Sequence, residues 1–487
     1  MDTATATATS GGTPALPVAG AVPAPAPGRL RTRAAALFGP RFVPYWTAAA
    51  LFAVFFAVSG LRFRAMATSS WDLGIFEQAV RAYAHLRAPV ADLKGPGTNI
   101  LGDHFSPVLM LLAPVYRVFP SALTLLCAQA FLFALSAVPV TRTAVRLLGR
   151  ARGLAVGVAY GLSWGLQKAV DFDFHEIAFA VPLIAFALEA VLRGRWTAAV
   201  CWAAPLVLVK EDLGVTAAAI GVLVLLRARR AVPLAVALVT FGLAATAVTL
   251  GMIIPAFNGS GSYDYWNKIG GGTGPAPRIP FDTAVRTLLW LLLPTSGLLA
   301  LRSPLLLVAL PTIGWRFISR EPHYWGIDWH YNAVLMPVVF LALADALPRT
   351  LVSTRPWVRS YAHHLPAAVL AAALALTTTL PLARLTESGT YRKPPAATAA
   401  EHLLERIPNG ATVEADIRPI SRLTDHTRVF WIGDTQGIAP DYIAVELHDD
   451  RKAEQALEDA RKRHPKAVYG IVGAAGDVTV LQRTGRL

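Results

Sequence analysis

Five short polar stretches of this sequence hold the side chains that acid–base and anion chemistry require: Trp71-Asp72 to Glu77-Gln78, Gly102-Asp103-His104 to Pro107, Asp171 to Glu176, Lys210-Glu211-Asp212, and His323 to Asn332. A carboxylate can take a proton from an attacking hydroxyl, a histidine can pass one on, and a lysine can steady a phosphate that departs as an anion. All five adjoin strongly apolar runs. Charged groups at membrane depth are expensive to desolvate, so they line wet cavities or pair with one another.

Each stretch also has a plainer account. Asp72, near the start of a helix, can cap the first-turn amides and complement the helix dipole. Glu77, five residues on, falls on a different part of that helix, so the spacing implies no carboxylate pair. Asp103 can orient His104, an arrangement that surface loops also contain. Asp171 and His175 are four apart and would share a helix face, as would Phe172 and Glu176. Two ligands are too few to claim a divalent metal site, and a hydrogen-bonded pair is the simpler account. Lys210, flanked by Glu211 and Asp212, is either a self-neutralised buried cluster or a cation held ready for an anion. His323, Trp325, Trp329, His330 and Tyr331 form either an interfacial aromatic belt or a stacking surface for a sugar, with histidine beside its phosphate. Asn258-Gly259-Ser260 matches a glycan acceptor, a motif that occurs by chance.

The elements that must position these residues follow from composition. The chain has 487 residues, 54% hydrophobic and 16% charged, against roughly 25% charged in an average soluble domain. A lipid-facing exterior accounts for the shortage. The formal charge of +14 is not gathered into a nucleic-acid-binding patch. Instead arginines punctuate the apolar runs, at Arg29/Arg31/Arg33, Arg142/Arg146/Arg150/Arg152, Arg193/Arg195 and Arg227/Arg229/Arg230, as cytoplasmic loops do. Cys127 and Cys201 lie inside apolar stretches, so neither a disulfide framework nor a thiolate metal site is expected. Residues 1–28 are rich in Ala, Thr, Pro and Gly, without an aromatic, and read as the start of a disordered basic cytoplasmic tail, 1–43. The first apolar run begins near Pro44, too late for a cleavable signal peptide.

Counting apolar runs against loop charge gives about eleven transmembrane helices within 44–383. Pro44 to Leu61 leaves the cytoplasm. Pro107 to Phe119 is short and carries two prolines and an arginine; were it to cross, the arginine-rich end of Ser121 to Leu148 would fall outside. It therefore reads as a juxtamembrane or re-entrant helix within one long outer loop, 62–120. Gly153 to Ala169 and Ile177 to Leu192 follow, and Trp196 to Leu226 forms a hairpin with Lys210-Glu211-Asp212 at its outer turn. Val232 to Phe257, Ala284 to Ala300, Pro304 to Ile318, Ala333 to Leu347 and Leu365 to Leu382 complete the set. A Gly-rich loop spans 258–282, and the basic stretch Arg349 to His364 is expected in the cytoplasm. All five polar stretches then fall on the extracytoplasmic side. Residues 384–487 change character: helix 397–407, strands near 411–415, 427–432 and 441–446, helix 451–463, then two strands to about 482, an extracytoplasmic α/β domain.

Taken in order, Asp72-Leu-Gly-Ile-Phe-Glu-Gln78, Gly102-Asp-His-Phe-Ser-Pro107, Asp173-Phe-His-Glu176 and Lys210-Glu-Asp212 resemble the bacterial membrane-protein family known as domain of unknown function 2079, over about residues 60–485. That family is in turn similar to the GT-C superfamily of glycosyltransferases that use polyprenyl-phosphate sugars. The resemblance implies a GT-C-like polytopic α-helical membrane protein with an outward-facing cavity. In such enzymes an acid of the first outer loop is the general base for the acceptor hydroxyl, and Asp72 matches that position; Lys210 and His330 are the cations expected near the leaving phosphate. The sequence departs from the paired acidic dyad of metal-dependent members, so no metal is assigned.

The expected function is transfer of a sugar from a polyprenyl-phosphate donor to an extracytoplasmic acceptor at the plasma membrane. Asp72, Asp103 and His104 are the candidates for catalysis. Glu77, Asp173, His175, Glu176, Lys210, Glu211, Asp212, His323, Trp329 and His330 are those for binding substrate or phosphate. Two rivals stand beside it: a transporter or lipid flippase, for which inverted repeats would speak, and a non-catalytic anchor for the C-terminal domain.

Overall fold

In the computed structural model residues 1–5, 39–68, 71–269, 278–447 and 452–486 are described. Most of the expected disordered tail lies outside them. Met1–Phe42 form one unit, whose described part holds the single 3₁₀ turn Pro40–Phe42, and Val43–Leu487 form the other.

The second unit is mostly helical with one small sheet. Among the described residues 3 helices are long and apolar enough to cross a membrane by themselves: Val43–Arg64, Ala122–Leu148 and Arg229–Phe257. Shorter apolar helices are Pro107–Val118, Trp196–Leu208, Leu213–Arg227 and Pro304–Ile318. The remaining apolar runs break for local reasons. The run from Gly153 divides at Leu162-Ser163 into helices Arg150–Gly161 and Trp164–Asp171. The run from Ile177 opens as a 3₁₀ turn before helix Ala180–Leu192, and Pro205 and Pro304 each sit in the first positions of a 3₁₀ segment. By contrast Ser121 accepts a hydrogen bond from Leu123 N and opens an unbroken helix to Leu148, which Gly149 ends at φ +81°. The expected juxtamembrane segment is a helix, Pro107–Val118. Some boundaries differ from the sequence reading: the span expected from Ala284 to Ala300 ends at Ser296, and the one expected from Leu365 to Leu382 is helix Pro356–Thr377, which takes in the second half of the basic stretch because Pro356 fixes its first turn.

After Thr377 the expected α/β elements appear. Helix Pro395–Leu404 precedes β1 (Thr412–Ala415), β2 (Arg428–Trp431), β3 (Tyr442–Glu446), helix Lys452–Arg463, β4 (Ala467–Ala475) and β5 (Val478–Arg486). The sheet order is β2-β1-β3-β5-β4, parallel through β2, β1 and β3 and antiparallel at β5 and β4. Helix Ile417–Leu423 between β1 and β2 was not read from the sequence.

The sheet shares its core with the long loop. Met66, Ile75, Ala79, Leu93 and Ile100 are buried together with Leu403, Val413, Ile420, Leu423, Val429 and Val480. Gly74 makes this contact close: a Cβ there would sit 2.2 Å from Ile420 Cγ2. Polar ties reinforce it. Gln78 Nε2 donates to Val429 O at 2.8 Å and its carbonyl accepts from Leu93 N at 3.1 Å, while Arg428 grips both oxygens of Asp92 at 2.8 Å.

Glu77 belongs to this joint. It is fully buried, accepting from Tyr116 Oη at 2.9 Å and from the Thr424 hydroxyl. Burial pushes its carboxyl up to about 8 against those two hydrogen bonds. The folded value is raised, so the stability it contributes is full below the unfolded value and is lost as pH rises through about 8. Wild-type thermal midpoints in detergent should therefore fall between roughly pH 5 and pH 9, and Glu77→Gln should flatten that slope; equal slopes in the two proteins would refute the assignment.

Candidate active site

The polar stretches meet because the loops joining the helices are pinned from behind. Helix Trp164–Asp171 ends at Asp171, and Asp173 adopts a left-handed conformation at φ +69°. Asp171 and His175 therefore share no helix face, contrary to the spacing argument, and neither do Phe172 and Glu176. Gln129 holds the turn, donating to Asp173 O at 2.6 Å and accepting from His175 N at 3.0 Å. Arg62 binds Asp173 at 3.1 Å, and Arg384 binds Asp171 at 2.7 Å. The loop 323–332 is fastened by buried Arg316, which donates to Tyr324 O at 2.7 Å, Gly326 O at 2.6 Å and Asn332 Oδ1 at 2.8 Å. Gly102 lets the loop 100–104 pass the end of the Arg229–Phe257 helix, where a Cβ would lie 2.5 Å from Phe257 C.

The result is one cavity of about 400 Å³ to which all five stretches contribute. Every candidate from the sequence lines it except Glu77, Asp173 and Glu176. Glu77 faces Thr424 beside the C-terminal sheet and Asp173 faces Arg62. Glu176 lies immediately behind the wall, fully buried, with Lys210 Nζ at 3.1 Å from one oxygen and His175 Nδ1 at 2.7 Å from the other. His175 in turn stacks on His330, ring centroids 3.5 Å apart at 22°.

Asp72 is the first residue of helix Asp72–Ala84, so its carboxylate stands at the positive end of the helix dipole. Burial pushes it above the usual carboxylate range, against the pull of His175, Lys94 and Lys210, while Glu176 adds to the rise. Glu176 goes the other way: burial alone would raise it, but His175 and Lys210 outweigh that and hold it ionised. Burial works against the Lys210 ammonium, yet Glu176, Glu211 and Asp212 keep it charged. Burial, with His175, Lys210 and Arg316 nearby, keeps His330 neutral. Lys210 is thus ion-paired with Glu176, with Glu211 and Asp212 beside it.

A second network closes the other side. Asp103 binds Lys94 at 3.1 Å and accepts from Tyr265 Oη at 3.1 Å. His104 Nδ1 lies 2.7 Å from Glu211, which also accepts from Tyr263 Oη at 3.0 Å, and the His104 ring tilts over Tyr265 at 4.6 Å. His104 contacts Glu211 from a distant loop, a partner that the adjacent Asp103 had suggested only locally. His323 pairs with Glu321 at 2.6 Å, and Trp329 packs on Phe172 at 5.3 Å.

Sequence reasoning missed a third of the wall. Lys94, Ile100, Leu250, Tyr263, Tyr265, Trp266, Lys268 and Trp315 also line the cavity. Four of them sit in the segment 263–268, read as part of a Gly-rich connection; its signal was the density of aromatics beside a lysine. Lys268 Nζ lies 4.6 Å over the Tyr265 ring and, among the described residues, forms no ion pair. Lys94 lies over Trp71 at 5.6 Å. Among the described residues no three His, Cys, Asp or Glu side chains converge as a metal-ligand group.

The loops that join the helices of this bundle enclose a polar, aromatic-walled cavity. The fold of the chain is similar to the crystal structure of ArnT from Cupriavidus metallidurans bound to undecaprenyl phosphate, with TM-score 0.57 and 14% identity over 89% of this chain and 97% of that one. The apo state of the same enzyme gives TM-score 0.55 and 12% identity over 93% and 98%. The chain belongs to the family described as "Predicted membrane protein (DUF2079)", whose model matches residues 62–474. The family resemblance carried by the four motifs is borne out. No curated protein matches the chain.

Proposed function

We propose that the chain is an inverting glycosyltransferase that moves a sugar from a polyprenyl-phosphate donor to an acceptor outside the cytoplasm. The observation that carries this reading is the one cavity joining a carboxylate with a raised proton affinity, Asp72, to three lysines and a wall of aromatic rings. Asp72 takes the proton of an acceptor hydroxyl as its oxygen attacks the anomeric carbon. The bond from that carbon to the phosphate oxygen breaks, and the lipid phosphate leaves as an anion. Lys268, which forms no ion pair among the described residues, steadies that anion, because Lys210 is bound to Glu176, Lys94 is bound to Asp103 and His330 is neutral. The rings of Trp71, Tyr265, Trp329 and Tyr331 provide stacking faces for the sugar. That ArnT from Cupriavidus metallidurans was crystallised with undecaprenyl phosphate supports a lipid-phosphate donor on this fold.

The reading includes the topology of about eleven spans, with the N-terminus in the cytoplasm and the cavity and 384–487 outside. Asp103, His104 and Glu211 position the cavity wall in this scheme. Purified protein supplied with a panel of radiolabelled polyprenyl-phosphate sugars and cell-envelope acceptors should release labelled glycan. Label that remains on the lipid while crossing a vesicle membrane would point to transport instead. Lys268→Gln should raise KM for the donor roughly tenfold, the worth of one charge-assisted hydrogen bond, with little change in kcat; an unchanged KM removes Lys268 from the phosphate site.

A further inference from the structure

The arginines at the far ends of the helices are not all treated alike. Arg142 and Arg193 are bound by Glu189, with Arg142 Nε at 2.7 Å and Arg193 Nε at 3.1 Å. Arg227 and Arg349 are bound by Asp345 at 2.6 Å and 3.0 Å. A third group has no such partner: among the described residues, none of Arg150, Arg152, Arg355 and Arg359 forms an ion pair with a carboxylate. Arg152 Nη2 lies instead 2.9 Å from His363 Nδ1, and Arg359 reaches only Ser353 O at 3.4 Å.

These residues stand where two helices begin. Arg150–Gly161 and Pro356–Thr377 pack together, and neither has an acidic residue in its first turn. A helix N-terminus carries a partial positive charge, which favours anions and disfavours the arginines that occupy it here. Both first turns therefore place cations at the wrong pole, and Arg152, Arg359, Ser360, His363 and His364 line an open surface pocket of about 560 Å³. This pocket shares no lining residue with the active-site cavity. Trp357 and Tyr361 of the same helix are exposed, as aromatic side chains are at a membrane interface.

We propose that this pocket binds a phosphate-bearing anion, with the headgroup of an anionic phospholipid as the source that its position favours. Guanidinium groups and unpaired helix amides are the donors that phosphate oxygens accept best, and the bound charge relieves the repulsion among the arginines. The site is independent of the glycosyltransferase reading and survives its failure.

The test uses the full-length protein in detergent. Its thermal midpoint and lipid adducts in native mass spectrometry are measured with dioleoyl phosphatidylglycerol, with dioleoyl phosphatidylcholine, and with inorganic phosphate. The midpoint should rise with phosphatidylglycerol and not with phosphatidylcholine, and the Arg152→Gln/Arg359→Gln protein should bind roughly tenfold more weakly. The Arg229→Gln/Arg230→Gln protein, altered at exposed arginines of another turn, should respond as wild type. A response to phosphatidylglycerol alone assigns the anion to a lipid, and one to inorganic phosphate alone assigns it to a soluble phosphate; both support the site. If neither raises the midpoint, or the rise is equal in wild type and the Arg152/Arg359 protein, the proposal is overturned. Should that double variant fail to fold, loss of adducts in His363→Gln supports the site and undiminished adducts sink it.

Discussion

Replacing Asp72 by Asn should lower kcat for sugar transfer by about 10²- to 10⁴-fold, the range for loss of a positioned general base, while leaving donor KM within a few-fold of wild type. The amide keeps the shape and the start of helix Asp72–Ala84 but cannot accept the acceptor's proton. Because burial raises the proton affinity of Asp72, the wild-type rate should fall as pH drops through a value above the ordinary carboxylate range. Rates measured in proteoliposomes check both statements. Full activity in Asp72→Asn, or a pH limb at the ordinary carboxylate value, removes Asp72 from the role.

Lys210→Met should destabilise the fold by about 3–5 kcal/mol, the cost of leaving buried charge without its partner. Glu176 is fully buried and is balanced chiefly by His175 and Lys210, while Glu211 and Asp212 stand beside the lysine. Adding Glu176→Gln to Lys210→Met should recover part of the loss, since the second change removes the stranded carboxylate. Unfolding in mixed detergent micelles measures the cycle. A loss below about 1 kcal/mol for Lys210→Met, the size of an exposed pair, would show that this network is solvated rather than buried.

Much of this was legible in the sequence because it rests on local rules. The alternation and turn residues after Arg384 placed all five strands, and the short apolar run read between the first two long spans is the helix Pro107–Val118. The stretches that supplied Asp72, Asp103, His175, Lys210 and His330 do meet in one cavity. What stayed hidden depends on tertiary contact. A single left-handed residue, Asp173, cancels the i to i+4 geometry expected of Asp171 and His175. The role of Glu77 is set by Thr424 and Tyr116, far from it in the chain. Lys94 and Lys268 look like ordinary loop lysines until Trp71 and Tyr265 are brought beneath them. Helix Ile417–Leu423 is short and contains Pro419, which obscures it in the sequence.

The most direct test of the cavity as a lipid-phosphate-sugar site is photolabelling of the purified protein with a polyprenyl phosphate carrying a diazirine near its headgroup. Mass spectrometry should find the label within 263–268 and 323–331, and unmodified polyprenyl phosphate should compete it away. Label confined to other segments, or label in those segments that excess polyprenyl phosphate leaves unchanged, would contradict it.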